Sequence, residues 1–221
     1  LDRLTSEAEA LLASPLQIPE EGGQWSHYYV CSKCAANLRQ KGGKHVCPRC
    51  GTEHTGWPYD QVAAGMVHSR NWHGAATLGL AWQLTGDARY AGRAREILAA
   101  YGRKNRSYPY HDYKGGTMKR GARVFAQTLD ESVHGIQAAW AYDLVYDSPA
   151  MTDADRRLIE EGFLRGLVET IRRNDMGVSN WQSWHNALLA AVGFCLGDGE
   201  IAGLALDGPS GLRFQLRRSV L

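Results

Sequence analysis

The chain has 221 residues, 44% hydrophobic and 22% charged, which is enough apolar material to bury a core of ordinary globular size. Its formal net charge is +2, so no global charge draws it to nucleic acid or to an anionic surface. No apolar run is long enough to span a bilayer, and a membrane is not an expected partner.

In chain order, residues 1–24 read as a mixed helix over 1–13 and a linker, without the pattern of a secretory signal. Residues 25–60 read as a zinc-ribbon-like module. Cys31-Ser32-Lys33-Cys34 and Cys47-Pro48-Arg49-Cys50 give the spacing C-x2-C-x12-C-x2-C. Two such knuckles bring four thiolates to a tetrahedron, so Cys31, Cys34, Cys47 and Cys50 are the predicted ligands of a structural Zn2+. A pair of disulfides is the competing reading. Gly42 and Gly43 permit the reversal between the knuckles. Four thiolates leave no open position on the metal for catalysis. Lys33, Arg39, Lys41, Lys44 and Arg49 offset the thiolate charge, and nucleic acid is not an expected partner. Cys195 lies in an apolar stretch and reads as a small buried hydrophobe.

From residue 61 helical periodicity dominates. A first helix is predicted over 61–84, ending at Thr85-Gly86. Asp87 caps a second, to about Arg103, with Tyr90, Ala94, Ile97, Leu98 and Tyr101 on one face. A polar loop with Tyr108, Tyr110, His111 and Tyr113 follows, over 105–121. A third helix is predicted over 122–146, with Leu129, Val133, Ile136, Trp140 and Leu144 on an apolar stripe. Arg123, Gln127, Glu131 and His134 form the opposite stripe. Thr152 and Asp155 mark a capping box for a fourth helix, reaching Asn174. A fifth runs from about Trp181 to Leu196, and a sixth begins within 211–221. Antiparallel hairpins of this kind suit an all-α fold, an α/α layer or an incomplete α/α toroid. No strict internal period supports a regular solenoid.

Two clusters could carry chemistry. The first is Ser179-Asn180-Trp181-Gln182-Ser183-Trp184-His185-Asn186 at a helix start. One polar residue suffices for a cap; here amides, indoles and an imidazole gather where free N–H groups favour a carboxylate. The second is Arg123, Gln127, Glu131 and His134, which read either as a solvated helix face or as the wall of a groove. Seven Trp and ten Tyr against four Phe fit core packing, and equally a groove in which flat rings stack on sugars.

Three stretches resemble the helical domain of heparinase II/III-type polysaccharide lyases, with alginate lyases as relatives. They are residues 78–87 (LGLAWQLTGD), 126–131 (AQTLDE), and Asn180-Trp181-Gln182 with Trp184-His185-Asn186. The resemblance implies an α/α toroid followed by β-sandwich domains. It implies β-elimination on uronic-acid polysaccharide, with glycosaminoglycan expected ahead of alginate, and a secreted or periplasmic location. Asn180 looks like the amide that neutralises the substrate carboxylate, and His185 like a base or second neutraliser. Arg123, Gln127, Glu131, Trp181 and Gln182 look like substrate-binding residues. The family's catalytic Tyr is expected beyond residue 221, which makes residues 61–221 a truncated toroid segment.

Two other classes remain open. A glycoside hydrolase needs carboxylates opposed across the sugar. Asp130, Glu131 and Asp143 all lie on one predicted helix. A non-catalytic carbohydrate- or nucleic-acid-binding module would leave the 179–186 cluster unmotivated.

Overall fold

The structure, a computed structural model, describes residues 1–219. Helices dominate: α1 (Asp2–Ala13), α2 (Tyr59–Thr85), α3 (Ala88–Lys104), α4 (Thr128–Val145), α5 (Asp153–Ile159), α6 (Arg165–Arg172), α7 (Asn180–Cys195), α8 (Gly199–Asp207) and α9 (Leu212–Ser219). A small antiparallel sheet, β1 (Arg39–Lys41), β2 (Lys44–Val46) and β3 (Glu53–His54), belongs to the cysteine module. Among the described residues no helix is long and apolar enough to cross a membrane.

The first helical hairpin forms as its sequence predicts. Gly86 adopts φ +72° and returns its N–H to the Trp82 carbonyl, closing α2. The Asp87 carboxylate then accepts from the Arg89 N–H and opens α3. The predicted α3 face, Tyr90, Ala94, Ile97, Leu98 and Tyr101, is buried throughout. Trp72 of α2 sits edge-on to Tyr101, Phe125 and Phe163, forming the aromatic centre of the core. His68 is fully buried beside it, accepting from or donating to the Tyr101 hydroxyl at 2.7 Å and the Glu21 carbonyl at 2.9 Å. The carbonyl can only accept, so Nε2 carries the proton and Nδ1 takes the Tyr101 O–H. Burial pulls His68 down to about 4, which keeps it neutral.

The third predicted helix starts six residues late, at Thr128 rather than 122. The backbone donors upstream are committed elsewhere. Ala122 pairs with His111, and the Val124 and Phe125 N–H groups bind the Glu131 carboxylate. Arg123 and Gln127 therefore leave the helical stripe assigned to them. The apolar stripe also differs: Trp140 is 55% exposed, while Gly135, Ala138, Ala139, Ala141 and Tyr142 are buried. Small residues dominate there because α4 packs between two helices, α2 and α7.

The capping box of α5 is present, with Thr152 and Asp155 satisfying each other's backbone N–H groups. A π-helical turn, Glu160–Leu164, then separates α5 from α6. It brings Gly162 against Gly102 of α3, so closely that a Cβ at 162 would lie 2.0 Å from the Gly102 carbonyl oxygen. Backbone cannot yield as a flexible side chain would. Gly162→Ala is expected to cost about 3 kcal/mol in urea-unfolding stability, where Gly203→Ala, in open space on α8, costs nothing measurable. The helix α8 was missed in the sequence; Asp198, whose carboxylate accepts from Glu200 and Ile201, is the cap that marks it. The predicted start near residue 211 corresponds to α9, and positions 220 and 221 lie outside the described residues.

Helices α2, α4 and α7 lie side by side, backed by α3, α5–α6 and α8. Ser69 meets His134 and Gln83 meets Leu144, so α2 and α4 are parallel. Gly135 meets Leu188 and Ala139 meets Cys195, so α7 runs the same way. Three helix N-termini thus share one end of the layer.

Candidate active site

That shared end carries most of the polar side chains singled out in the sequence. Ser179 caps α7, accepting from the Gln182 N–H at 3.2 Å. This frees Asn180, the first helical residue, which is exposed and has no capping task. Trp181 is half-buried, with the Arg120 guanidinium 5.9 Å from its ring centre. Arg120 comes from the loop before α4, held there by its carbonyl accepting from the Thr128 N–H. Asn174 fixes the same loop by donating to the Lys119 carbonyl.

Other predicted site residues are spent on the scaffold. Gln182 is buried; its carbonyl accepts from the Met176 N–H and its amide donates to Asn186. Asn186 in turn donates to the Ser210 carbonyl. This amide chain clamps the segments before α7 and after α8, so a substrate-binding role for Gln182 is not what its contacts serve. Arg123 donates to the carbonyls of Arg106 and Tyr108 and lies over the Tyr110 ring at 4.2 Å. It staples the 105–121 loop rather than facing a groove. Gln127 is buried at the N-cap of α4 without a side-chain cap bond.

Glu131 is wholly buried, and its carboxylate holds the Val124 and Phe125 N–H groups at 3.1 and 2.8 Å. Burial pushes its pKa up to about 8, against the pull of those two bonds. The sign of the resulting pH dependence follows. Between the unfolded value near 4.5 and 8, the folded chain holds a proton that the unfolded chain has lost. Glu131 thus stabilises fully below pH 4.5, and its contribution is lost as pH rises towards 8. Glu131→Gln is expected to flatten this decline, on the order of a few kcal/mol, in urea midpoints taken from pH 5 to 8. An unchanged slope would mean the carboxylate is ionised in place.

His185 is fully buried, with neither ring nitrogen hydrogen-bonded. Burial draws it down to about 4. In this conformation it touches no solvent and is closed to substrate. The structure therefore separates the two catalytic candidates: Asn180 is open and His185 is closed off.

Between α2 and α4 lies a cleft of ≈ 400 Å³, lined by Gln24, Ser26, Arg70, His73, Asp130 and His134 among others. His134 Nδ1 is 3.3 Å from the Ser69 hydroxyl and 3.4 Å from His73 Nε2, and its ring stacks on Phe125. Burial lowers His134 to about 4 and raises Asp130. His134 and Asp130 stand out in the sequence, but the α2 side of the cleft does not. The cleft's signal was a pair of polar steps of four residues, Ser69–His73 and Asp130–His134, on helices that only the fold sets face to face.

The cysteine module is built as its spacing predicts. Gly42 and Gly43, at φ +55° and +77°, turn β1 into β2. The Sγ atoms of Cys31, Cys34, Cys47 and Cys50 all lie within 4.8 Å of one another. Three pairs stand 3.4–3.6 Å apart. That is far beyond the ~2.05 Å of a disulfide. It is close to the ~3.8 Å expected of thiolates placed tetrahedrally at 2.3 Å from one metal ion. The donor set therefore suits a soft four-coordinate metal. Buried His45 links the module to the helical layer, between the Tyr29 hydroxyl at 2.6 Å and Asp60 of α2 at 2.8 Å.

Residues 23–213 match the alginate lyase family, which covers the module, the cleft and the α7 N-terminus together. The chain belongs to the alginate lyase family. Within it, the chain is 30% identical over 144 residues to an alginate lyase of Stenotrophomonas maltophilia, covering 64% of this chain and 19% of that protein. It is 26% identical over 149 residues to an exo-oligoalginate lyase of Saccharophagus degradans, with the same coverage on both sides. The chain thus spans about a fifth of the length of these relatives. The sequence resemblance placed alginate lyases as relatives of a heparinase II/III-like group; the family that matches is the alginate lyases themselves. The expected precedence of glycosaminoglycan over alginate has no support among these relatives.

Proposed function

We propose that the protein carrying this chain is a polysaccharide lyase that cleaves alginate-type polyuronate by β-elimination. The observation that carries this reading is the shared end of α2, α4 and α7. Three parallel helix dipoles present their positive ends there, with the Arg120 guanidinium over Trp181 at the start of α7. Such an end favours a polyanion whose carboxylates repeat along a chain.

Elimination begins with loss of the C5 proton, beside the carboxylate. The proton becomes acidic only when negative charge developing on that carboxylate is stabilised in place. Asn180 supplies an amide donor there, reinforced by the free N–H groups of the first turn of α7. Trp181 offers a flat face for the ring, and Arg120 a charge beside it. Proton transfer is proposed to fall to a tyrosine, as the family resemblance implies, and not to those of the helical core. Tyr101, Tyr108 and Tyr142 are buried in the core, and burial holds each above the usual tyrosine value. The proposed architecture is an α/α toroid to which this chain contributes three inner helices. The proposed metal is one structural Zn2+ on the four cysteines. A polymeric substrate places the enzyme in the periplasm or outside the cell.

The test incubates the intact protein with alginate, hyaluronan, chondroitin sulfate and heparan sulfate, following ultraviolet absorbance of the unsaturated uronate. A rise on alginate supports the reading. A rise on a glycosaminoglycan alone overturns the substrate, and reducing ends without absorbance would indicate hydrolysis instead.

A further inference from the structure

An aromatic cluster stands at the rim of the cleft, outside the residues used above. Trp25 lies 4.6 Å from His27, 5.4 Å from Tyr28 and 5.6 Å from Tyr113, between ring centres. Tyr28 is 6.1 Å from Trp57, which is 56% exposed. Trp25, His27, Tyr28 and Trp57 belong to the cysteine module, and Tyr113 to the loop before α4. The cluster is continuous with the cleft, because Gln24 and Ser26 line the cleft on either side of Trp25.

The geometry is fixed in advance of any ligand. Buried Asp112 accepts from the N–H groups of Lys114, Gly116 and Met118, which locks the loop that carries Tyr113. Gln24 ties that loop to the module, its amide donating to the Asp112 carbonyl. Trp57 lies against Gly115 of the same loop. Lys114 stands 5.7 Å from the Tyr113 ring centre and is exposed. An exposed indole on one side of the cluster and a cation over Tyr113 on the other suit a pyranose carrying a carboxylate: a face for its C–H groups and a charge for its anion.

We propose that the cysteine module, with the 112–118 loop, forms an extension subsite that stacks a further uronate ring of the polyuronate bound at the shared end of α2, α4 and α7. This rests on the polyuronate reading. The module then does more than stabilise the fold: it lengthens the stretch of substrate recognised, and short oligomers do not reach it.

The experiment compares wild type, Trp57→Ala and Trp57→Phe of the intact protein on alginate oligomers from trimer to octamer and on polymer. Trp57→Ala is expected to raise KM about tenfold on the long substrates only, with kcat unchanged, and Trp57→Phe to restore most of it. An equal change on trimer and polymer, or none on either, overturns the subsite. Melting temperatures of the variants report on folding. If no substrate yields unsaturated product, the lyase reading fails separately. The subsite is then read by retardation in alginate-containing native gels. Loss of retardation in Trp57→Ala supports it, while equal retardation, or none for wild type, overturns it.

Discussion

Asn180→Ala lowers kcat for unsaturated-uronate formation by a hundredfold or more, with KM on alginate changed by little. Removing one donor from a site where charge develops costs on the order of 3 kcal/mol of transition-state stabilisation. The loss falls on kcat because the amide matters most when the carboxylate gains charge, and less when substrate merely binds. Stability should hold, since Asn180 is exposed and the cap of α7 is the Ser179 side chain. Ser179→Ala is the contrasting variant: about 1 kcal/mol less stable, with a smaller kinetic defect. Steady-state kinetics on both, beside urea unfolding, check the assignment. A large stability loss in Asn180→Ala, or a defect confined to KM, would assign Asn180 a scaffold or ground-state role.

The second large effect concerns the cysteines. Cys47→Ser, or chelation of the wild type, is expected to abolish binding of one metal ion per chain and to expose residues 25–60 to protease. A four-thiolate zinc contributes about 10–16 kcal/mol at neutral pH, far more than the sheet of two- and three-residue strands could supply. The helical body should retain most of its far-ultraviolet signal, because its aromatic core around Trp72 and Tyr101 makes no use of the cysteines. Metal content by elemental mass spectrometry and limited proteolysis read the two halves of the expectation. A module that keeps full protease resistance without metal would overturn it.

Features with local causes are legible in the residues alone. Cysteine spacing sets the thiolate cluster, because two knuckles bring their ligands together within a few residues each. Asp87, Gly86, Thr152 and Asp155 set helix ends, because caps act on neighbouring backbone groups. The tertiary structure decided what depends on distant partners. Glu131 looked like a groove residue, yet it binds two backbone N–H groups from outside its helix and so delays the start of α4. Gln182 looked like a ligand for substrate, yet it and Asn186 satisfy amide and carbonyl groups of segments that arrive from elsewhere in the chain. The cleft and its His73–His134 pair exist only because α2 and α4 run parallel, which sets two separate polar steps face to face. Hydrophobic periodicity reports that a face is buried, not what buries it. The polar groups that packing leaves unpaired therefore find partners that no local pattern names.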